Sequence, residues 1–567
     1  MQIAKGSEYR SAAEENRIRI DEIKAPRGII YDRENTVLAH NIPNFLLTCT
    51  PADLPKDEER KDKLFKQIAE ILSINQLDLK TTINQYPPYS YQSFVIQDHI
   101  PYDQAMLLKI ASTDMPGISL NISTFREYLT DNNFSHLLGY MGKISPAELE
   151  EHPDYSYDDY LGKAGLELFY EDLLKGKNGK KEIEVNSLGK ESKIITESKA
   201  QAGQNIILTI DKNLQEILGQ ALEETIKKSK SITGAAAVSI DSRNGEILAL
   251  VSSPGFDHNA VTLGLTPQEY QEITDNPKNP LFNRAISGEY PPGSTIKPLI
   301  ALAALEEGII DENTTFLSTG GIQIDKWFFP DWKSGGHGPT NVKKAIAESV
   351  NTFFYIVSGS YDTVTGLGVN RIKSYLELFG LNNTLGIDLS GEASGFLPTK
   401  EWKEENKGER WYIGDTYHLA IGQGDILATP LQVANYTATM ANGGIFYRPH
   451  LVKAFSDSKN QIIKEISPEI IRQDFISSSH FQIVREGLNE AVISGSSRAL
   501  ADLPVLAAGK TGTAQFGNQG KTHAWFTSFA PYDNPEIVIT VLVEAGGEGH
   551  ATALPIAKKG LQYWFSK

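Results

Sequence analysis

The sequence predicts an α+β protein in two parts: an antiparallel sheet sandwiched by helices over residues 203–567, preceded by an elongated, mixed α/β part over residues 1–202. Three observations predict it. Strand-length apolar runs stand at both ends of the second part, helical stretches lie between them, and the first part alternates short strands with charged helices. In chain order, GIIYDRENTVLAHN (28–41) reads as strands around a turn, and KDEERKDKLFKQIAEIL (56–72) as a charged helix. LLKGKNGKKEIEVNSLGK (173–190) suits a hairpin on an exposed arm, its lysines solvated. NIILTIDKNLQEILGQALEETIKKSK (205–230) is a strand followed by a helix that starts at Asp211, and AAAVSIDSRNGEILALVSSP (235–254) is a hairpin turning at Asn244-Gly245. HAWFTSFA (523–530) and EIVITVLVEAG (536–546) flank a turn from Pro531 to Pro535 and form another antiparallel pair. No repeat of fixed period interrupts this order.

Composition bounds the function. The chain has 567 residues, 40% of them hydrophobic and 22% charged, enough for a large core. A net charge of −17 repels phosphate backbones and argues against nucleic acid as a partner. The solitary Cys49 excludes an intrachain disulfide, CxxC motifs and any zinc site needing two cysteines. No run of 18 apolar residues is present, and MQIAKGSEYRSAAEENRIRI at the N-terminus lacks the apolar stretch of a signal peptide. None of the 11 histidines precedes a Glu, so there is no HExxH, and Pro504 stands where a phosphate-binding loop ending in Gly509-Lys510-Thr511 requires Gly.

Three short motifs remain. Ser294-Thr295-Ile296-Lys297 follows Pro291, Pro292 and Gly293 and opens an apolar helical run, with Pro298 tolerated in its first turn. The i, i+3 spacing puts Ser294 and Lys297 on one helix face, where an amine of lowered pKa can take a hydroxyl proton. The helix start adds N–H groups and positive potential for a developing anion. Ser349-Val350-Asn351 ends the helical stretch NVKKAIAES; on an extended backbone Ser349 and Asn351 point the same way, the first to relay a proton and the second to hold a substrate amide. Lys510-Thr511-Gly512-Thr513 lies on a strand-like stretch whose Gly512 lets another backbone approach. Lys510, Thr511 and Thr513 suit a carboxylate there, and the N–H groups of Thr513 and Ser294 suit an oxyanion. Each motif alone has an ordinary reading: a capping serine beside a surface lysine, a helix end with local caps, an edge strand with an exposed lysine. Their joint order and spacing select the chemical one.

SxxK, SxN and KTG in this order resemble the serine penicillin-recognising acyltransferases. Further matches resemble the non-catalytic pedestal of class B penicillin-binding proteins: Arg27-Gly28-Ile29-Ile30-Tyr31-Asp32-Arg33, Arg126 with Tyr128, His136-Leu137-Leu138-Gly139-Tyr140, and Gly165-Leu166-Glu167. The phrases YPPGSTIKP, DWKSGGHGPTNVKKAIAESVNTFFY and GQGDILATPLQVANYTATMANGG resemble the elongation-type branch. The resemblance implies a peptidoglycan D,D-transpeptidase, with Ser294 as nucleophile, Lys297 as base, Ser349 as proton relay, and Asn351, Lys510, Thr511, Gly512 and Thr513 binding substrate. It implies stem peptides and β-lactams as ligands, and a SEDS-type glycosyltransferase and elongation scaffold proteins as partners. It also implies a membrane-held protein whose bulk lies outside the cytoplasm, the sequence beginning just after an anchor helix. Some such proteins bind zinc near the second motif; here Asp331 and His337 are present, but Val350 and Ser318 replace the other ligands, so neither a metal nor a cofactor is expected. The alternatives are a β-lactamase, a β-lactam sensor and a division-type class B protein; no ExxLN segment of the kind that carries a deacylating Glu is found.

Overall fold

A computed structural model describes residues 18–185, 191–517 and 520–567. The elements that build the site are, in chain order, helix α1 (Lys212–Lys228), strands β1 (Ala235–Ile240) and β2 (Ile247–Ser253), helices α2 (Lys297–Glu306), α3 (Asn351–Ser358), α4 (Pro430–Ala441) and α5 (Ser478–Ile493), strands β3 (Ala508–Phe516), β4 (Lys521–Ala530) and β5 (Ile537–Val543), and helix α6 (Gly549–Trp564). The five strands form one antiparallel sheet in the order β2-β1-β5-β4-β3, leaving β3 at an edge.

Strict alternation makes the sheet two-faced. Ala236, Val238, Trp525, Phe529, Val538 and Leu542 join the core shared with α4, whereas Ala237, Phe526, Ile537, Ile539 and Val541 pack with apolar residues of α1 and α6. Both faces are covered, as expected of helices flanking a central sheet. Local chemistry fixes the helix ends. The Asp211 carboxylate accepts the Leu214 N–H at 2.9 Å and starts α1, whose last turn carries Lys227 and Lys228. Thr429 and Gln432 form a reciprocal capping box around Pro430 at the start of α4. Helix α2 is buried on every side from Lys297 to Leu305, the pattern of a helix threaded through a core.

The predicted helix near 56–72 is present as Glu58–Leu72, capped by Asp57. Of the hairpin read over 173–190, the strand Gly179–Val185 falls inside that range; it pairs with Glu191–Ser198 beyond it and with Ile18–Ile23 in a three-stranded arm, and residues 186–190 lie outside the described residues. So does most of the N-terminal stretch read for a signal peptide. A second sheet runs across position 202: Ile30–Tyr31 pairs in parallel with Asn205–Leu208 and antiparallel with Val37–Cys49, and Val452–Ser456 extends it on the other side. The main core cluster likewise includes Ile30, Leu38, Phe134 and Leu166 beside residues of α2 and α4. Among the described residues no helix is long and apolar enough to cross a membrane.

The resemblance residues of the first part meet in a buried ion cluster. Fully buried Glu167 accepts from Arg27 Nε and from Arg126 Nε, both at 2.6 Å, and Arg27 also reaches Glu171 at 2.8 Å. Arg126 ties this cluster to the chain entry by donating to the Gly28 carbonyl at 2.8 Å. Removing the shared carboxylate leaves the Arg126 guanidinium in a dry environment without its counter-charge and Arg27 with Glu171 alone. Glu167→Ala is therefore expected to cost roughly 3–5 kcal/mol, read as a lowered Tm in scanning calorimetry. An unchanged Tm would show that solvent or rearrangement satisfies both arginines.

Candidate active site

The chain enters the first motif through Tyr290, which pairs with Ala428, and Trp525 of β4 donates its indole N–H to the Pro291 carbonyl at 2.9 Å. A single 3₁₀ turn, Gly293–Ile296, precedes α2, so Ser294 lies at the junction where backbone N–H groups are free of intrahelical partners. Thr295 is the buried anchor of this turn. Its hydroxyl donates to the Pro292 carbonyl at 2.7 Å and accepts from Tyr436 of α4 at 2.9 Å. Ser294 is half-buried, and among the described residues its hydroxyl carries no hydrogen bond.

Lys297, one turn on, is fully buried and turned to the second motif. Its Nζ donates to the Ser349 carbonyl at 2.8 Å, to Ser349 Oγ at 3.2 Å and to Asn351 Oδ1 at 2.6 Å, and stands 5.4 Å from the Phe354 ring centre. Burial pushes this amine down to about 7, with Asp331 opposing the shift. The second motif differs locally from the extended segment expected. Ser349 adopts a left-handed backbone (φ 58°), Val350 is extended, and Asn351 is already the first residue of α3. A left-handed serine is strained, and here the strain turns the Ser349 carbonyl, its hydroxyl and the Asn351 amide onto one amine.

Asp331 holds that arrangement. Its carboxylate accepts the backbone N–H of Asn351 at 3.0 Å and of Thr352 at 3.1 Å, and the Thr352 hydroxyl at 2.8 Å. Burial opposes its charge, but the Thr352 and Asn351 bonds and the Lys297 charge keep the carboxyl below its ordinary range. Ser318 Oγ adds a bond to Asp331 at 3.2 Å, and His337 Nδ1 lies 2.5 Å from Glu348 Oε2. Asp331 thus serves the N-terminus of α3, and among the described residues no group of three His, Cys, Asp or Glu side chains is arranged to hold a metal ion.

The third motif occupies edge strand β3. Gly512 faces the first motif: a methyl group there would stand 3.0 Å from Thr295 Cγ2 and 3.2 Å from the Pro292 carbonyl oxygen, so the turn and the strand pack backbone to backbone. One added on Gly293 would lie 3.0 Å from the Thr513 carbonyl oxygen. Two contacts from the 422–424 segment clasp the junction, as Gly293 N–H donates to the Gly422 carbonyl at 2.9 Å and Gln423 Nε2 to the Thr513 carbonyl at 3.2 Å. Lys510 is buried rather than exposed; its Nζ donates to the Thr511 carbonyl at 3.0 Å, and burial together with the Lys297 charge pushes its amine well below the ordinary value. Thr511 Oγ1 donates to Ser496 Oγ at 3.0 Å, and Thr513 Oγ1 to Glu548 Oε2 at 2.9 Å.

All three predicted clusters therefore meet where β3, the start of α2 and the start of α3 pack together. Hydrogen bonds join the first to the second through Lys297, and backbone packing joins the first to the third. Ser294 and Lys297 share no hydrogen bond. Sequence reasoning passed over Tyr436, Gln423 and Glu548, and weighed Asp331 only as one of two positions left from a zinc set, too few for a site; the phrase around Gln423 stood out, but nothing in it revealed a partner on β3.

Serine, lysine and threonine motifs gathered beside an antiparallel edge strand define a serine acyltransferase of the penicillin-recognising class. The comparisons agree: residues 235–562 match the penicillin binding protein transpeptidase domain, and residues 22–208 the penicillin-binding protein dimerisation domain. The chain belongs to the penicillin-binding proteins, and within them to class B. It is 31% identical to the peptidoglycan D,D-transpeptidase MrdA of Haemophilus influenzae, over 100% of this chain and 88% of the relative. It superposes with a TM-score of 0.83 and 30% identity on penicillin-binding protein 2 of Helicobacter pylori, solved with MreC, covering 97% of this chain and 99% of that one. A chain of a peptidoglycan synthase complex that coordinates polymerization and crosslinking gives a TM-score of 0.75 at 30% identity, covering 97% and 92%.

Proposed function

We propose that the chain crosslinks peptidoglycan during cell-wall elongation as a D,D-transpeptidase. Ser294 Oγ attacks the carbonyl between the last two D-Ala residues of a stem peptide while neutral Lys297 takes its proton. A neutral amine has two N–H donors and one lone pair; with the donors on the Ser349 carbonyl and Asn351 Oδ1, the lone pair faces Ser349 Oγ, and the amine turns from that hydroxyl to take the Ser294 proton. The oxyanion is met by the N–H groups of Ser294 and Thr513. Ser349 passes a proton to the departing nitrogen, the C–N bond breaks and D-Ala leaves, its carboxylate held by Lys510, Thr511 and Thr513. The amine of a second stem peptide then attacks the ester, expels Ser294 and forms the crosslink. With water as acceptor the same steps give carboxypeptidase hydrolysis. Asn351 holds the donor peptide's amide, and Gly512 keeps the strand edge open for it to lie alongside β3. β-Lactams enter by the same attack and remain on Ser294.

The observation that carries this reading is the Lys297 amine, fully buried and bonded to both Ser349 and Asn351. The reading extends to a boundary near residue 202 between pedestal and catalytic part, to a membrane-held protein acting outside the cytoplasm, and to partnership with a SEDS-type glycosyltransferase and an elongation scaffold. What supports the partnership is the likeness to a chain solved with MreC and to one from a peptidoglycan synthase complex. The test is intact-protein mass spectrometry after penicillin treatment, with D-Ala release measured on a stem-peptide analogue. A single lasting adduct on the Ser294 peptide together with D-Ala release is expected. An adduct that turns over within minutes without D-Ala release would favour a β-lactam hydrolase.

A further inference from the structure

The hydroxyl of Thr513, assigned above to the substrate carboxylate, is already engaged. It donates to Glu548 Oε2 at 2.9 Å, and a hydroxyl has one hydrogen to give. Glu548 is exposed beside β3, and among the described residues no ion pair neutralises it. Its backbone is nonetheless fixed. Gly547 N–H donates to the Thr522 carbonyl at 3.1 Å and Thr522 Oγ1 to the Gly547 carbonyl at 3.0 Å, which ties the loop to β4. On the other side Gly549 is buried against the backbone of Gly512 and Trp525. The Glu548 carbonyl accepts the N–H groups of Ala551 and Thr552, both at 3.1 Å, as α6 begins. A carboxylate is thus held beside Lys510 and Thr511, whose hydroxyl is bonded to the neutral Ser496 hydroxyl and turns to an incoming anion without displacing a charge.

We propose that Glu548 is a specificity-determining residue, an internal anion that competes with the carboxylate terminus of the incoming donor for the Thr513 hydroxyl. This rests on the transpeptidase reading. An anionic donor must displace Glu548 from Thr513 and hold its own charge beside it, whereas an uncharged acylating agent is indifferent. Only a ligand that also engages Lys510 and Thr511 compensates for that loss. Glu548 therefore sharpens the site towards donors whose terminal carboxylate also engages Lys510 and Thr511, at the expense of anions that reach Thr513 alone.

The test compares acylation of Ser294 by benzylpenicillin and by its uncharged methyl ester, in the whole chain and in Glu548→Gln and Glu548→Ala. Losing one competing hydrogen bond and its charge is expected to raise the acid-to-ester ratio of acylation rate constants about 3- to 10-fold in Glu548→Ala. Glu548→Gln retains an acceptor oxygen and should show a smaller rise in the same direction. A ratio that is unchanged or falls in both variants, with Tm kept, overturns the competition. So does unaltered acylation with slower transfer to an amine acceptor, which would assign Glu548 to the acceptor's ammonium instead. Absence of Ser294 labelling in the unsubstituted chain would instead strike the acyl-enzyme reading itself.

Discussion

Ser294→Ala is expected to abolish covalent labelling by a fluorescent penicillin while leaving thermal unfolding within about 0.5 kcal/mol of the unsubstituted protein. The two halves of this expectation have separate causes. The turn is held by Thr295, Tyr436 and the Trp525 indole, and the Ser294 hydroxyl contributes no hydrogen bond to it among the described residues, so its removal leaves no partner unsatisfied. The chemical step loses its nucleophile outright. Knocking out one member of a nucleophile–base unit costs on the order of 10⁶-fold, which takes labelling below detection on any practical timescale. The measurement pairs gel fluorescence after penicillin exposure with calorimetry on the same sample. Labelling that survives at a comparable rate would place the nucleophile on another side chain and leave the site without its chemistry.

What could be read in the sequence was whatever is encoded over a few residues. The cap at Asp211, the turn at Asn244-Gly245 and the antiparallel pairing of β4 with β5 are local patterns, and each appears where it was expected; Ser294 instead lies in a 3₁₀ turn ahead of α2, with Lys297 turned to the second motif. Contacts set by strand order were not legible. Strand β5 comes last in the chain yet inserts between β1 and β4, and that insertion carries Glu548 to the flank of β3. Helix α4 crosses the sheet so that Tyr436 can support Thr295 and Thr437 can bond Thr527 at 2.9 Å. No periodicity in either segment names the partner. Ser349 shows a different limit: without a glycine to advertise it, the left-handed backbone follows from Asp331 capping α3 from elsewhere in the chain. Lys510 shows a third, because an isolated lysine on a strand reads as solvated, and only the packing of β3 against the start of α2 reveals it as buried.

Lys297→Met is expected to slow acylation by about 10²–10⁴-fold, the range of a positioned general base, and to change its pH dependence. In the unsubstituted protein the amine, pushed down to about 7 by burial, must be neutral to accept the serine proton. Acylation should therefore rise with pH up to about 7 and level above it, and Lys297→Met should lose that rise while keeping a slow residual rate. Stability gives an independent reading with a defined sign. The folded pKa lies below the ordinary 10.5, so between about 7 and 10.5 the unfolded chain holds a proton that the folded chain has released, and stability increases with pH through that window. The penalty for burying the amine is fully present below about 7 and fades towards 10.5. Lys510, also pushed down by burial, adds its own share, so Lys297→Met should reduce the slope rather than remove it. Its methionine keeps the packing against Phe354 but leaves the Asn351 amide and the Ser349 carbonyl without a donor, a cost that is independent of pH. A base role and a purely structural role separate here: the structural one predicts lower stability with the acylation profile unchanged in shape. A variant that still acylates with a rise through pH 7 would take the proton-accepting role away from Lys297 and move it to Lys510 or another group in the site.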